Sequence, residues 1–131
     1  HFKRVNDTYG HLFGDTVLKG LSRLFQREDI LKKEDFAGRF GGEEFIICLP
    51  GLGSKDALTV ADRLAYEFSR INFMTRDTST FKITLSIGIT QLRADDRHIL
   101  DIISRADQAL YYAKEHGRNR IIIYEEMEKD I

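Results

Sequence analysis

The sequence predicts an α+β domain in which helices pack against a mostly antiparallel sheet. Three segments repeat apolar residues at the spacing of an amphipathic helix, and residues 81–90 alternate apolar and polar side chains as a strand does. A glycine pair separates two strand-like segments, as in a β-hairpin. In chain order the segments are helix, hairpin, helix, strand, helix, strand. This order is also compatible with an α/β sandwich.

Length and composition indicate one soluble domain. The chain has 131 residues, of which 42% are hydrophobic and 31% charged, and this is enough for a core of its own. We expect the domain to span residues 1–125 and a solvated tail to span 126–131. The formal net charge of −1 gives no general attraction to nucleic acid, and no apolar run is long enough to cross a membrane.

The only cysteine lies in an apolar run. Cys48 cannot form an internal disulfide, which agrees with a reducing compartment such as the cytoplasm. Its apolar neighbours predict an inert core thiol rather than a nucleophile.

The first half of the chain predicts one helix and one hairpin. Two glycines suggest a loop over residues 9–15, and we expect the first helix to begin at Asp15. Its apolar residues have helical spacing: Val17, Leu18, Leu21, Leu24 and Phe25. A short strand over 35–40, a turn at Gly41-Gly42 and a strand over 45–49 follow. The second strand is apolar on both faces, which predicts that it is covered on both sides.

The second half predicts two helices and two strands. Ser54 is a candidate N-cap for the second helix, and residues 81–90 form the alternating strand. A third helix is expected over 98–116, with Gly117 as the residue after its C-cap, and a last strand over 121–124. The third helix should bury a set of apolar residues: Ile99, Ile102, Ile103, Ala106, Ala109, Leu110 and Ala113.

Glu43 and Glu44 follow the glycine pair at the start of an apolar strand. Two interpretations are open. A pair of glutamates on a turn is most often a solvated surface feature. Alternatively, adjacent carboxylates beside glycines suit Mg²⁺, which takes one or two carboxylates together with substrate phosphates. The glutamate pair alone favours the surface turn.

Four motifs, in register along the chain, favour the second interpretation. They are FKRVNDTYGHLFGD at 2–15, RFGGEEF at 39–45, LSIGIT at 85–90 and ADQALYYAKEHGRNR at 106–120. In this order and spacing they resemble the GGDEF family, the diguanylate cyclases, over essentially the whole chain. The resemblance implies a nucleotide-cyclase or ferredoxin-like palm. It also implies a bacterial signalling enzyme that condenses two GTP into cyclic di-GMP and two pyrophosphates, as a homodimer with Mg²⁺ or Mn²⁺.

The resemblance assigns the catalytic turn. Glu43 matches the family's metal-binding acid, which also assists deprotonation of the ribose 3′-hydroxyl. Glu44 matches its neighbour, in support of the metal or the base. Gly41 and Gly42 match the turn over which the nucleotide lies.

The resemblance also assigns the base-reading pair to Asn6 and Asp15. A carboxylate can accept hydrogen bonds from guanine N1–H and the 2-amino group together, which adenine does not offer. From the residues alone, Asn6 equally suits a turn and Asp15 an N-cap.

Two cations near the C-terminus match the family's phosphate-binding positions. Lys114 and Arg118 are four residues apart and would share a face on a continuing helix, although cations there also complement the helix dipole. Lys3 matches a phosphate-contacting position. The backbone N–H groups of Phe2 and Lys3 are further candidates for holding the triphosphate.

The chain departs from the family pattern at its start. The family carries a strand with two aspartates, in the form DxD, just before the position of His1. We therefore expect this sequence to be a piece of a larger protein with an N-terminal sensor or receiver module. Without that strand, the second metal-ligating carboxylate would be missing and the fragment could be inactive.

A second departure affects the family's product-inhibition site. The residues KKED stand where the family has RxxD, so Lys32 replaces an arginine and Asp35 keeps the acid; Arg63 matches a supporting arginine. A lysine cannot form the bidentate contacts of arginine, so we expect weak feedback inhibition. A solvated run of charges is the other interpretation of Lys32 and Asp35.

Two functions remain open on the sequence. The first is a diguanylate cyclase, favoured because the matched catalytic, base-reading and phosphate-binding residues are all present. The second is a non-catalytic GGDEF domain that binds GTP or cyclic di-GMP as a sensory module.

Overall fold

The computed structural model describes residues 11–41, 44–74 and 79–127. The described chain contains, in order, α1 (His11–Phe25), β1 (Phe36–Arg39), β2 (Phe45–Cys48), α2 (Ser54–Ser69), β3 (Phe73–Met74), β4 (Thr80–Phe81), β5 (Ile87–Ile89), α3 (Ile99–Glu115), β6 (Ile121–Ile123) and α4 (Tyr124–Met127). It divides into two compact units. The hairpin unit comprises His1–Pro50 and Tyr66–Ile83, and the crossover unit comprises Gly51–Ala65 and Thr84–Ile131.

The hairpin unit is built on α1 and the β1–β2 hairpin. The two strands are antiparallel, with Phe36 opposite Cys48 and Arg39 opposite Phe45. The ring of Phe25, at the end of α1, meets the ring of Phe45 edge-on at 5.7 Å between centroids. Of the five apolar residues expected from the spacing of helix α1, Val17, Leu21 and Leu24 are buried, and Leu18 and Phe25 are half-buried.

A second small core lies around Phe73 of β3. Its ring is tilted against that of Phe68 at 5.8 Å, and Phe68 is 1% exposed. A Cβ atom on Gly20 would come within 3.1 Å of the Phe73 ring. The absence of a side chain at Gly20 therefore lets this aromatic ring pack closely on α1.

The crossover unit is a β–α–β arrangement. Strands β5 and β6 are parallel, with Ile87 opposite Ile121 and Ile89 opposite Ile123. Parallel neighbours need a long connection, and α3 supplies it. The core is a set of small and branched residues: Ala61, Ile89 and Ile123, packed by Ala57, Leu58, Ile87 and Ile121.

Gly88 sets the distance between β5 and α3. A Cβ atom at this position would lie 2.3 Å from the carbonyl oxygen of Ala106 and 2.4 Å from the backbone nitrogen of Leu110. These distances are far below van der Waals contact, so only glycine allows the helix backbone to rest directly on the strand.

The C-terminal end of α3 matches its prediction. His116 is the C-cap, Gly117 follows with φ 111°, and the N–H of Arg118 donates to the carbonyl of Ala113 at 2.9 Å. This is the long bond of a Schellman motif, and it confirms Gly117 as the residue after the cap.

Several predicted boundaries are wrong. Helix α1 begins at His11 rather than Asp15, because Gly14 is accommodated within the helix. The strand expected over 81–90 is two short strands, β4 and β5, which pair with β3 and β6 respectively. Alternation alone could not show that the segment changes partner. Tyr124, expected to end the last strand, instead begins α4.

Two predicted burials are also wrong. Strand β2 is only half-buried and Cys48 is exposed, because within the described residues β2 pairs with β1 alone. The face that carries Cys48 also carries Phe36 and Phe40, which are 62% and 57% exposed. Ile99 is 71% exposed and is the first residue of α3.

The predicted fold class is confirmed. Helices accompany strands whose pairings are antiparallel in β1–β2 and β3–β4 and parallel in β5–β6. The division between a domain over 1–125 and a tail over 126–131 stays a prediction, and α4 crosses that boundary. Within the described residues, the helices are all too short or too polar to cross a membrane.

Candidate active site

The turn that joins β1 to β2 is closed by backbone hydrogen bonds to a single carbonyl. The N–H groups of Phe40 and Gly41 donate to the carbonyl of Glu44 at 2.9 and 3.3 Å. The side chain of Arg39 adds a bond from Nε to the carbonyl of Gly41 at 3.1 Å. Among the described residues, no atom lies within 4 Å of where a Cβ on Gly41 would be.

This turn differs from the expectation in one respect. The hairpin prediction rested on glycines in the left-handed region, but Gly41 does not have a positive φ. Glu44 immediately precedes β2 and is half-buried. Gly42 and Glu43, the centre of the predicted site, lie outside the described residues.

A cavity of about 270 Å³ lies between α1 and the hairpin. Its walls are mainly apolar, with one cationic side chain, and consist of Leu18, Ser22, Phe25, Ala37, Gly38, Arg39 and Phe45. The volume is slightly below the range for small-molecule pockets, roughly 300–1,000 Å³. Such walls suit a flat, partly apolar group such as a nucleobase.

Asp15 belongs to the helix face that lines this cavity. It precedes Leu18 by three residues and Ser22 by seven, the spacing of one face of a helix. Its side chain is exposed, and since α1 begins at His11, the expectation that Asp15 is an N-cap is wrong. The hairpin unit therefore places the predicted base-reading carboxylate on the helix face that lines the cavity.

Lys32 and Asp35 form a tight turn of their own. The carboxylate of Asp35 accepts the backbone N–H of Lys32 at 2.8 Å, and the N–H of Asp35 donates to the carbonyl of Lys32 at 3.0 Å. The side chain of Lys32 is exposed. Arg63 is exposed on the part of α2 that belongs to the crossover unit.

Lys114 and Arg118 lie at the C-terminal end of α3, and both are half-buried. The expectation that they share a helical face is wrong, because α3 ends at Glu115 and Arg118 lies in the loop that follows. Arg118 and Asn119 both have positive φ, 61° and 47°.

Three further predicted residues, Phe2, Lys3 and Asn6, lie outside the described residues. Across the described ranges, no group of three or more His, Cys, Asp or Glu side chains could hold a metal ion. The metal site expected at Glu43 therefore stays a prediction.

The crossover unit contains an ion pair that the sequence did not predict. Arg105 of α3 forms two hydrogen bonds to the Asp96 carboxylate, at 2.6 and 2.8 Å, and a third to the carbonyl of Gln91 at 2.8 Å. The hydrogen bond from Arg105, aided by the backbone N–H of Arg93, lowers the pKa of Asp96 to about 2. The same bond raises the pKa of Arg105.

This pair is joined to α4. Thr90 accepts a hydrogen bond from Arg105 and donates one to Glu125 at 2.6 Å, so the loop after β5 ties α3 to α4. The sequence carried one signal of the pair: Arg105 stands between Ile102 and Ala109 on the helical face expected to be buried. A charge on such a face indicates a buried partner.

Comparison with known proteins identifies the family. Residues 1–120 match the family described as diguanylate cyclase, GGDEF domain. The chain belongs to this family. The turn with GGEE, the cavity beside it and the cationic end of α3 are therefore parts of a GGDEF domain.

Among curated relatives, diguanylate cyclase A of Treponema denticola is 37% identical over 122 residues, and a diguanylate cyclase of Vibrio cholerae is 40% identical over 124. These alignments include 93% and 95% of this chain but only 32% and 37% of the relatives. The chain thus spans about a third of the length of these relatives.

Solved structures agree with this assignment. The active GGEEF domain of a diguanylate cyclase from Vibrio cholerae has a TM-score of 0.84 at 40% identity, covering 95% of this chain and 76% of that one. The GGDEF domain of DgcB from Caulobacter crescentus, in complex with c-di-GMP, has a TM-score of 0.87 at 31% identity, covering 95% and 72%.

Proposed function

We propose that this chain is the catalytic domain of a diguanylate cyclase, which condenses two GTP molecules into cyclic di-GMP and two pyrophosphates. The observation that carries the proposal is the GGEE sequence at the β1–β2 turn of a chain that matches the GGDEF family over residues 1–120. In each of the two steps, a ribose 3′-hydroxyl attacks the α-phosphorus of the other GTP. The attacking hydroxyl loses its proton and pyrophosphate leaves.

Base recognition is assigned to the cavity beside the hairpin. Its apolar walls, including Leu18 and Phe25, suit a purine ring. Asp15 lies on the same helix face, one turn before Leu18. The carboxylate would accept from guanine N1–H and the 2-amino group, with Asn6 on the remaining base edge. A site built on these bonds rejects bases that lack the matching donors, because its polar groups would then be unpaired.

Phosphate binding is assigned to Lys114 and Arg118, with Lys3 and the backbone N–H groups of Phe2 and Lys3. Cations and main-chain donors neutralise the negative charge that moves onto the leaving pyrophosphate. Two half-buried cations near the end of α3 support this assignment, since partial burial strengthens their attraction for an anion.

A divalent ion, Mg²⁺ or Mn²⁺, fits the donor chemistry of the turn. The side chains of Glu43 and Glu44 carry carboxylate oxygens, the hard ligands that such ions prefer. When bound, the ion would stabilise negative charge on the reacting phosphate. Glu43 would hold it and assist removal of the 3′-hydroxyl proton, and Glu44 would support it.

We place the domain in the cytoplasm, as the catalytic part of a larger bacterial signalling protein with an N-terminal sensor or receiver module. Two such domains, each holding one GTP, would face each other in an active homodimer. The chain's match to about a third of its curated relatives supports a larger protein.

The test is incubation of the full-length protein with GTP and Mg²⁺, followed by chromatography. We expect cyclic di-GMP and pyrophosphate in a 1:2 ratio. Glu43→Ala should lower product formation by roughly a hundredfold or more, as expected for loss of a group that acts in the reaction. Undiminished product from Glu43→Ala would refute the role of Glu43.

A matched control separates the enzyme from the alternative sensory module. Glu28→Ala removes an exposed glutamate of the same unit outside the proposed site and should leave the rate unchanged. If the unsubstituted protein binds GTP tightly but releases no cyclic di-GMP, the binding module is the correct function.

We also propose that feedback inhibition is weak. The Asp35 carboxylate is already bonded to the backbone of Lys32, and Lys32 offers a point charge where the family has a planar guanidinium. In sequence, Arg63 matches a supporting arginine of the family's inhibitory site. Together these features favour low affinity for cyclic di-GMP at the Lys32–Asp35 turn.

A further inference from the structure

The loop after α3 has an unusual backbone. Gly117, Arg118 and Asn119 are consecutive residues with positive φ, at 111°, 61° and 47°. Glycine adopts this region freely and asparagine tolerates it, but the conformation is unfavourable for arginine. A glycine at position 118 would satisfy the backbone without strain. The presence of an arginine indicates that its side chain is needed at this place.

Both backbone polar groups of Arg118 have a partner. Its N–H donates to the carbonyl of Ala113 at 2.9 Å, and its carbonyl accepts Nε of Arg120 at 3.2 Å. The next N–H, that of Asn119, donates to the hydroxyl of Ser86 at 3.2 Å. The main chain from which the Arg118 side chain projects is therefore fixed by hydrogen bonds before and after Cα.

The bond to Ser86 anchors the loop to the strand of the same unit. Ser86 immediately precedes β5, and the N–H of Ile87 donates to the carbonyl of Arg120 at 3.0 Å. The end of the loop is thus continuous with the β5–β6 pairing. Loss of the Ser86 hydroxyl would free the Asn119 peptide without removing any group from Arg118 itself.

We propose that Ser86 and Asn119 are positioning residues that hold Arg118 in the left-handed conformation from which its guanidinium reaches the phosphates of GTP. This inference rests on the proposed function, in which Arg118 binds phosphate. Neither residue needs to touch the nucleotide. Both act through the direction in which the Arg118 side chain leaves the main chain.

Equilibrium binding of GTP and of guanosine to the full-length protein, without divalent metal so that no turnover occurs, provides the test. Ser86→Ala should weaken GTP binding about three- to tenfold, as expected for one lost hydrogen bond, and leave guanosine binding unchanged. Ser86→Thr keeps the hydroxyl and should retain the affinity for GTP. A purely structural role would weaken the binding of both ligands alike.

Asn119 offers a second pair of variants. Asn119→Gly can adopt the left-handed conformation and should bind GTP nearly as well as the unsubstituted protein. Asn119→Val disfavours that conformation and should show the same selective loss as Ser86→Ala. Ser86→Ala is the smaller change and decides the question if Asn119→Val does not fold.

The double variant separates this inference from the function on which it rests. If Ser86 acts through Arg118, then Ser86→Ala should cause no further loss of GTP affinity in an Arg118→Ala background. Additive losses, or unchanged GTP binding in Ser86→Ala, would overturn the positioning role alone. Unchanged GTP binding in Arg118→Ala would overturn the phosphate role of Arg118 and the inference with it.

Discussion

At the scale of single residues, the Asp96–Arg105 pair shows how a buried charge is held. The Asp96 side chain is 6% exposed and receives two hydrogen bonds from one guanidinium, a bidentate arrangement that arginine forms and lysine does not. Removing one partner would leave the other charge buried without compensation. The pair therefore fixes the loop after β5 against α3.

The lowered pKa of Asp96 predicts a pH dependence of stability. The pKa falls from 3.8 to about 2 because Arg105 and the backbone of Arg93 favour the ionised form. This contribution is fully present above the unfolded-state pKa and is lost as the pH falls through the folded-state pKa. Urea-unfolding midpoints between about pH 6 and pH 2 should therefore fall less steeply in Asp96→Asn than in the unsubstituted protein.

Asp95→Asn is the matched control, because Asp95 is adjacent and exposed. Its midpoint should follow the pH dependence of the unsubstituted protein. Parallel pH profiles for Asp96→Asn and the unsubstituted protein would show that the pair contributes nothing in this range.

A second prediction at this scale concerns Lys32. Replacement by arginine restores a bidentate cation at the proposed inhibitory site, so Lys32→Arg should bind cyclic di-GMP about tenfold more tightly or better. Isothermal titration would measure this affinity. Lys33→Arg makes the same change at the next, equally exposed residue and should have no effect. Tight binding by the unsubstituted protein that is lost in Lys32→Ala would contradict weak inhibition.

At the scale of elements, the contact between β5 and α3 depends on one glycine. Gly88→Ala would place a methyl group against the backbone of α3, which cannot move away without separating from both strands of the unit. We expect a loss of about 1–3 kcal/mol in the free energy of unfolding, measured by chemical denaturation.

Gly38→Ala provides the comparison for stability. Gly38 is also a strand glycine, but a Cβ there would meet no atom of the described part of the chain within 4 Å. Its free energy of unfolding should change by no more than about 0.5 kcal/mol. Equal effects of the two substitutions would mean that close packing at Gly88 is not the cause.

The elements also show what the sequence could predict. Regular apolar spacing located all three long helices, because burial of one face depends on local periodicity. The residues 81–90 were less informative, since alternation describes an extended chain and not its partner; β4 and β5 pair with different strands. The predicted burial of Cys48 and Ile99 was wrong for a related reason: the apolar character of a side chain does not specify which other residues cover it.

At the scale of the whole molecule, the proposed mechanism requires two domains. If each subunit holds one GTP, only the dimer is active, and specific activity should depend on protein concentration. Well below the dissociation constant of the dimer, a tenfold dilution should lower specific activity about tenfold. Sedimentation over the same concentrations would measure the dimer population, and GTP binding per subunit should not change. Constant specific activity on dilution into the monomer range would contradict the dimeric mechanism.

The sequence predicted which residues belong to the candidate site, but not how they are arranged in space. The resemblance named Asp15, Lys114 and Arg118, but it could not show the left-handed backbone of Arg118 or the cavity wall that Arg39 and Ser22 contribute. Those features depend on φ angles and on packing between α1 and the hairpin. Neither quantity is encoded in the spacing of a few polar residues.

The discontinuous make-up of the two units has a practical consequence. A cut between residues 83 and 84 would leave residues 51–65 on one fragment and the rest of the crossover unit on the other. The fragment 84–131 would then expose Ile89 and Ile123, whose partner Ala61 lies on the fragment 1–83. The two pieces should consequently reassemble when mixed, since each carries apolar surface that the other buries. This break point would suit a split-protein reporter of complementation.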